Sequence, residues 1–109
     1  MIKGIHSMFY TPFAEELRAF FRDKIGMGYN DVGEGWLIFN ADEAELGCHP
    51  GEANRHDISL FCDDIYSTVK ELKSRGVEFV DEVEDHGYGL VTHLKAPGEL
   101  IIQLYQKKY

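Results

Sequence analysis

Imidazole gains and loses a proton near neutral pH, so the five histidines are the first residues to weigh for chemistry. His6 and His56 stand fifty positions apart, each opening an apolar stretch, HSMFYT and HDISLF. Equal placement makes them candidate metal donors or a duplicated pair of sheet residues with ordinary hydrogen bonds. His49 and His93 fall at the ends of strand-like runs, where an imidazole can shuttle a proton or simply meet solvent. Gln103 interrupts the apolar run LIIQLY, and an amide buried there needs a partner. Tyr10, Trp36, Phe39 and Tyr105 are aromatic strand residues. They can line a pocket for an apolar substrate, or each can be plain core. Cys48 and Cys62 form no spaced metal motif and read as small buried hydrophobes. The pairs Gly33/Gly35 and Gly87/Gly89 fit turns rather than a phosphate-cradling loop.

These residues need a scaffold, and the chain is long enough for one. Its 109 residues make a single domain that buries roughly two thirds of its unfolded surface. Hydrophobic residues are 44% and charged residues 28%, an ordinary globular balance. Eleven Lys and Arg face nineteen Asp and Glu, a net charge of −8 that repels phosphate backbones. Nucleic acid is therefore not an expected partner. No apolar run approaches the ~18 residues of a membrane span, and MIKGIHSMFY lacks a long apolar signal region. The expectation is a cytoplasmic protein without a membrane partner.

The chain repeats itself. After each histidine-led stretch comes a helical pattern, and each pattern ends at a glycine, Gly26 and Gly76, again fifty apart. The first helix is predicted over Pro12 to Ile25, capped by Thr11, with Pro12 in the first turn and Glu15 and Glu16 at the positive end. Phe13, Leu17, Phe20, Phe21 and Ile25 form its apolar stripe. The second is predicted over Ile65 to Arg75, capped by Asp63 or Asp64, with Ile65, Val69 and Leu72 at i, i+4 and i+7. Strand-like runs follow each helix: Gly35 to Asn40 and Ala44 to His49, then Val77 to Val83, Gly89 to Leu94 and Glu99 to Gln106. A weaker run spans Gly28 to Val32.

The pattern reads as strand, helix and three strands, twice: residues 1–50 and 55–109, joined by His49 to Arg55. The predicted fold class is α+β. One half has a single helix and cannot cover both faces of its own sheet. The two βαβββ modules should therefore curl together into a mixed-sheet cup with helices outside, a ready small-molecule site.

This doubled pattern resembles the vicinal oxygen chelate superfamily, which includes glyoxalases, extradiol dioxygenases and bleomycin-resistance proteins. DDIYSTVKELKSRGVEFVDEV, Asp63 to Val83, is similar to the second-half helix and strand of many members. AFFRDKIGM, Ala19 to Met27, resembles the first-half signature, and GYGLVTHLKAPGELIIQLYQ, Gly87 to Gln106, the closing hairpin.

The resemblance implies a single glyoxalase/dioxygenase-like domain with a divalent metal (Zn, Ni, Mn or Fe) in the cup, polarising two neighbouring substrate oxygens. The implied metal set is His6, Glu45, His56 and Gln103, with Glu45 as the catalytic carboxylate. Tyr10, Trp36, Phe39, His93 and Tyr105 are the implied substrate-binding residues. Counting from Asp64 and across the repeat, the family positions fall on Asp57 and Ser7, one residue from each histidine. A one-residue offset turns a strand side chain to the other face unless a bulge intervenes. Two functional readings stand. One is a metal-dependent lyase, isomerase or dioxygenase acting on a small oxygenated substrate. The other is a metal-free module that sequesters a small molecule. A homodimer is the expected assembly.

Overall fold

The computed structural model describes residues 7, 9, 11–40, 52–53 and 58–108. His6, Tyr10, His56 and the run Ala44 to His49 lie outside them. The elements run in the order α1 (Ala14–Ala19), a π-helical turn (Phe20–Ile25), β1 (Tyr29–Asp31), β2 (Leu37–Phe39), β3 (Ser59–Phe61), α2 (Ile65–Ser74), β4 (Glu84–Asp85), β5 (Gly89–Ala96), a 3₁₀ turn (Pro97–Glu99) and β6 (Leu100–Lys107). The fold is α+β with a mixed sheet. No helix among the described residues is long and apolar enough to cross a membrane.

The first helix begins two residues later than its proline suggests. Thr11 Oγ1 accepts from the Phe13 N–H (3.1 Å), and no side chain caps the helix itself. At Phe20 the helix widens into π geometry, which goes with two consecutive buried phenylalanines, Phe20 and Phe21. Their rings meet edge to face at 5.7 Å. Gly26, in left-handed conformation (φ 78°), closes the segment.

The second helix is better anchored. Asp64 accepts from the Ser67 N–H (3.2 Å), and the Gln106 side chain on β6 accepts from the Ile65 N–H (2.8 Å). The sheet thus supplies part of the helix cap. Ile65 and Leu72 are buried, as the predicted stripe requires. Gly76 (φ 87°) follows as the left-handed closer.

The two helix ends meet reciprocally. The Arg75 guanidinium donates to the Lys24 carbonyl (3.3 Å) and packs against Gly26. A Cβ added at Gly76 would in turn stand 3.8 Å from the Lys24 ammonium nitrogen.

The main sheet has four strands in the order β3-β6-β5-β4, with β3 parallel to β6 and the other pairs antiparallel. Strand alternation splits its faces. Leu94, Ala96, Ile102 and Leu104 pack with Ile65 and Leu72 of α2 and with Leu17, Phe20 and Phe21 of the first helix. Burying each large side chain stabilises by about 1.5–3 kcal/mol. His93, Gln103, Tyr105, Ser59 and Phe61 alternate onto the face opposite α2.

The expected strand Val77 to Val83 runs beside β5 but is not regular. Phe79 bridges Leu94 and Glu84 pairs with Val91. From 79 to 84 is five steps, against three from 94 to 91, so two extra residues bulge from this edge. A separate hairpin, β1–β2, is turned by Asp31, whose Oδ1 accepts from the Gly33 and Gly35 N–H groups (2.9 and 3.3 Å).

Candidate functional site

Strand register brings three of the sequence candidates together. His93 lies directly opposite Gln103 across β5 and β6, and Tyr105 pairs with Val91 two residues along. On the other side of β6, Gln103 pairs with Ser59 and Tyr105 with Phe61. The Gln103 Nε2 donates to Ser59 Oγ at 2.8 Å. Its amide oxygen has no hydrogen-bond partner among the described residues.

Aromatic surface flanks this polar centre. The Tyr88 ring lies 6.0 Å from Tyr105 and 5.9 Å from His86. Tyr88 is exposed, and the Lys107 ammonium sits 5.9 Å above the Phe61 ring. The Tyr105 ring packs over Gly89, where a Cβ would collide with it and with the Gln106 carbonyl. Glycine at that strand position is therefore a packing requirement.

His93 is held by a carboxylate that the bulged edge delivers. Asp81 Oδ2 stands 2.7 Å from His93 Nδ1. Asp81 Oδ1 accepts from the His93 backbone N–H (2.9 Å) and from Thr92 Oγ1 (2.8 Å). The side chain of Asp81 thus replaces a ladder carbonyl for His93. Thr92 is 1% exposed, so its hydroxyl needs this partner. Burial pushes the Asp81 carboxyl up, but the hydrogen bonds from Thr92 and His93 outweigh it and hold the carboxyl below its ordinary value. Burial pushes the nearby Cys62 thiol up, which suits an inert side chain.

Trp36 and Phe39 are placed on the separate hairpin. Phe39 packs on the Phe21 ring at 5.6 Å and joins the rim of the core, whereas Trp36 is exposed beneath the Arg18 guanidinium at 4.5 Å. His6, Tyr10, Glu45 and His56 lie outside the described residues. Among the described residues, no group of three or more His, Cys, Asp or Glu is arranged to hold a metal ion. Gln103 offers one neutral amide oxygen, a weak ligand on its own.

Asp81, Ser59, Phe61 and Tyr88 were not among the sequence candidates. Ser59 and Phe61 follow from Gln103 and Tyr105 only once the β3–β6 register is known. Asp81 carried a fainter signal, a carboxylate inside a strand-like run, but only the bulge turns it onto His93.

Two solved structures share this fold at low identity. One is TnmS3, an antibiotic-binding protein from Streptomyces sp. CB03234, at 20% identity and TM-score 0.65, with 87% of each chain covered. The other is a glyoxalase/bleomycin resistance protein/dioxygenase from Nocardioides, at 13% identity and TM-score 0.59, covering 86% of this chain and 76% of that one. No curated protein matches the chain. A family model described as Glyoxalase/Bleomycin resistance protein/Dioxygenase superfamily matches residues 5–104, nearly the whole length, and the chain belongs to that superfamily.

Proposed function

We propose that this protein binds a small aromatic or apolar molecule against the β5–β6 face opposite α2, with no metal required. The observation that carries this reading is the content of that face. Phe61 and Tyr105, with Tyr88 beside them, supply ring surface around two hydrogen-bond acceptors, His93 Nε2 and the Gln103 amide oxygen. Stacking surface with a few placed polar groups is the usual make-up of a small-molecule site. The fold shared with an antibiotic-binding protein supports the same reading.

In this account residues 1–50 and 55–109 form two βαβββ modules around a shared cup. The reciprocal meeting of Lys24 and Arg75 at Gly76 and Gly26 supports that pairing. Tyr10, Trp36 and Phe39 belong to the wall contributed by the first module. The protein acts as a homodimer, and sedimentation at micromolar concentration should show twice the chain mass.

Titration against a panel of small aromatic antibiotics in excess EDTA tests the binding. The expected result is saturable binding that Tyr105→Ala and Gln103→Ala each weaken. Binding that vanishes with EDTA and returns with Zn²⁺, Ni²⁺, Mn²⁺ or Fe²⁺ would contradict it.

The position of Gln103, between β3 and β5 with an open amide oxygen, favours a second reading. There His6, Glu45, His56 and Gln103 hold a divalent metal, Glu45 moves the proton, and the protein is a lyase, isomerase or dioxygenase. The metal would supply Lewis-acid polarisation of substrate oxygens. Metal content after chelator-free purification, compared with Glu45→Ala, separates this reading from the first.

A further inference from the structure

An ordinary surface histidine does not need two ties to a carboxylate that a buried threonine also holds. Asp81 accepts from Thr92 Oγ1 and from the His93 backbone N–H, and its second oxygen meets His93 Nδ1. The edge strand gives up two residues of regular pairing to put it there. Bulges of this kind commonly re-aim a side chain beside a functional site.

The chemistry of the pair fixes the tautomer. An ionised carboxylate only accepts, so Nδ1 carries the hydrogen. The neutral ring then presents Nε2 as a lone-pair acceptor. Among the described residues Nε2 makes no hydrogen bond, and neither does the amide oxygen of Gln103 directly across the strand pair. Opposed residues on one sheet face stand about 5 Å apart at Cβ. Two acceptors on neighbouring residues of one sheet face, open among the described residues and bordered by rings, select a partner that brings a donor.

We propose that His93 is a ligand-contacting residue whose Nε2 accepts from a hydroxyl or amine on an aromatic ligand, and that Asp81 is the positioning residue that fixes its tautomer. This rests on the binding reading above and names the ligand class for the same site. Thr92 and the bulge keep the Asp81 carboxylate in place when the site is empty. The face is therefore preorganised, and the recognition costs little reordering.

The test uses a matched pair of probes, 2-naphthol and 2-methoxynaphthalene, which share the ring and differ in the donor. Binding to the whole chain is measured by fluorescence titration in EDTA. Wild type should prefer 2-naphthol by roughly 10-fold, the worth of one hydrogen bond. Asp81→Asn and His93→Phe should each reduce that preference to near unity, while 2-methoxynaphthalene binding changes little. Long-range ¹H–¹⁵N spectra should show His93 protonated at Nδ1 in wild type and a mixture of tautomers in Asp81→Asn. A merely structural Asp81 would move neither the probe ratio nor the tautomer. Should Asp81→Asn unfold, His93→Phe alone must abolish the preference. Equal binding of both probes to wild type overturns the role of His93 and leaves the binding reading standing. Failure of both probes to bind overturns that reading and this inference together.

Discussion

The two helices follow similar sequence patterns, each closed by a glycine, yet they are held by different forces. The first has no side-chain cap, widens into π geometry and depends on apolar contacts through Leu17, Phe20 and Phe21. The second is fixed by polar geometry at its start, with Asp64 and the Gln106 side chain taking backbone N–H groups. Gln106 belongs to β6, the strand that also carries Gln103 and Tyr105. The helix that is tied to the sheet therefore stands behind the candidate site, and the first helical segment joins the same core through its apolar residues. Orientation comes from directed hydrogen bonds, whereas burial alone leaves an element free to settle where the core best fills.

The largest expected effects test whether the two regions share one core. Phe21→Ala in the first region and Leu94→Ala in the second should each destabilise by about 3 kcal/mol or more, because both sites are almost fully buried. Calorimetry should show a single unfolding transition for both variants. Two separated transitions would mean independent halves.

The closing glycines give the next effect. Gly26→Ala and Gly76→Ala force a side chain into left-handed backbone, at about 1–2 kcal/mol each. Arg75 must also retreat from Gly26, since its guanidinium would lie 2.7 Å from the new Cβ. Double-mutant coupling between Gly26→Ala and Arg75→Ala, read by denaturant unfolding, should therefore be measurable; strict additivity would deny the contact.

Capping separates the regions most cleanly. Asp64→Ala should cost about 1 kcal/mol, the usual worth of an N-cap, while Thr11→Ala should cost less than about 0.5 kcal/mol. Thr11 holds the Phe13 N–H ahead of a helix that no side chain caps. Equal losses would erase the contrast drawn here.

Acid should expose the smallest difference. The Asp81 carboxyl lies below its ordinary value in the folded protein. Such a group contributes stability that is fully present above its unfolded pKa, near 3.9, and is lost as pH falls through the folded value. Unfolding midpoints between pH 6 and pH 3 should fall further for wild type than for Asp81→Asn. Parallel profiles would remove Asp81 from the acid response.

Local chemistry explains how much of this was legible beforehand. The helices and both glycine closers follow from spacing, and the structure places them within two residues of expectation; of the first stripe, Phe13 is exposed ahead of the helix while Leu17, Phe20 and Phe21 are buried. The β5–β6 hairpin was legible because Gly89 to Leu94 and Glu99 to Gln106 are short strand-like runs on either side of a proline-glycine turn. Residues Val77 to Val83 also read as a strand, but the two-residue bulge is a property of pairing with β5 and leaves no period to detect. The site suffered most from this. Gln103 was visible as an amide in an apolar run, His93 as a histidine placed at a strand end, and Tyr105 as an aromatic strand residue. Asp81, Ser59 and Phe61 join them through register, which no local pattern encodes.

The central claim is that the sheet face opposite α2 receives an aromatic guest without a metal. Backbone amide spectra recorded during a 2-naphthol titration in EDTA test it most directly. The account predicts saturable shifts concentrated at Val91, His93, Gln103 and Tyr105. Shifts gathered instead along the helical groove of Ile25, Ser67, Glu71 and Arg75, or none at any concentration, would contradict it.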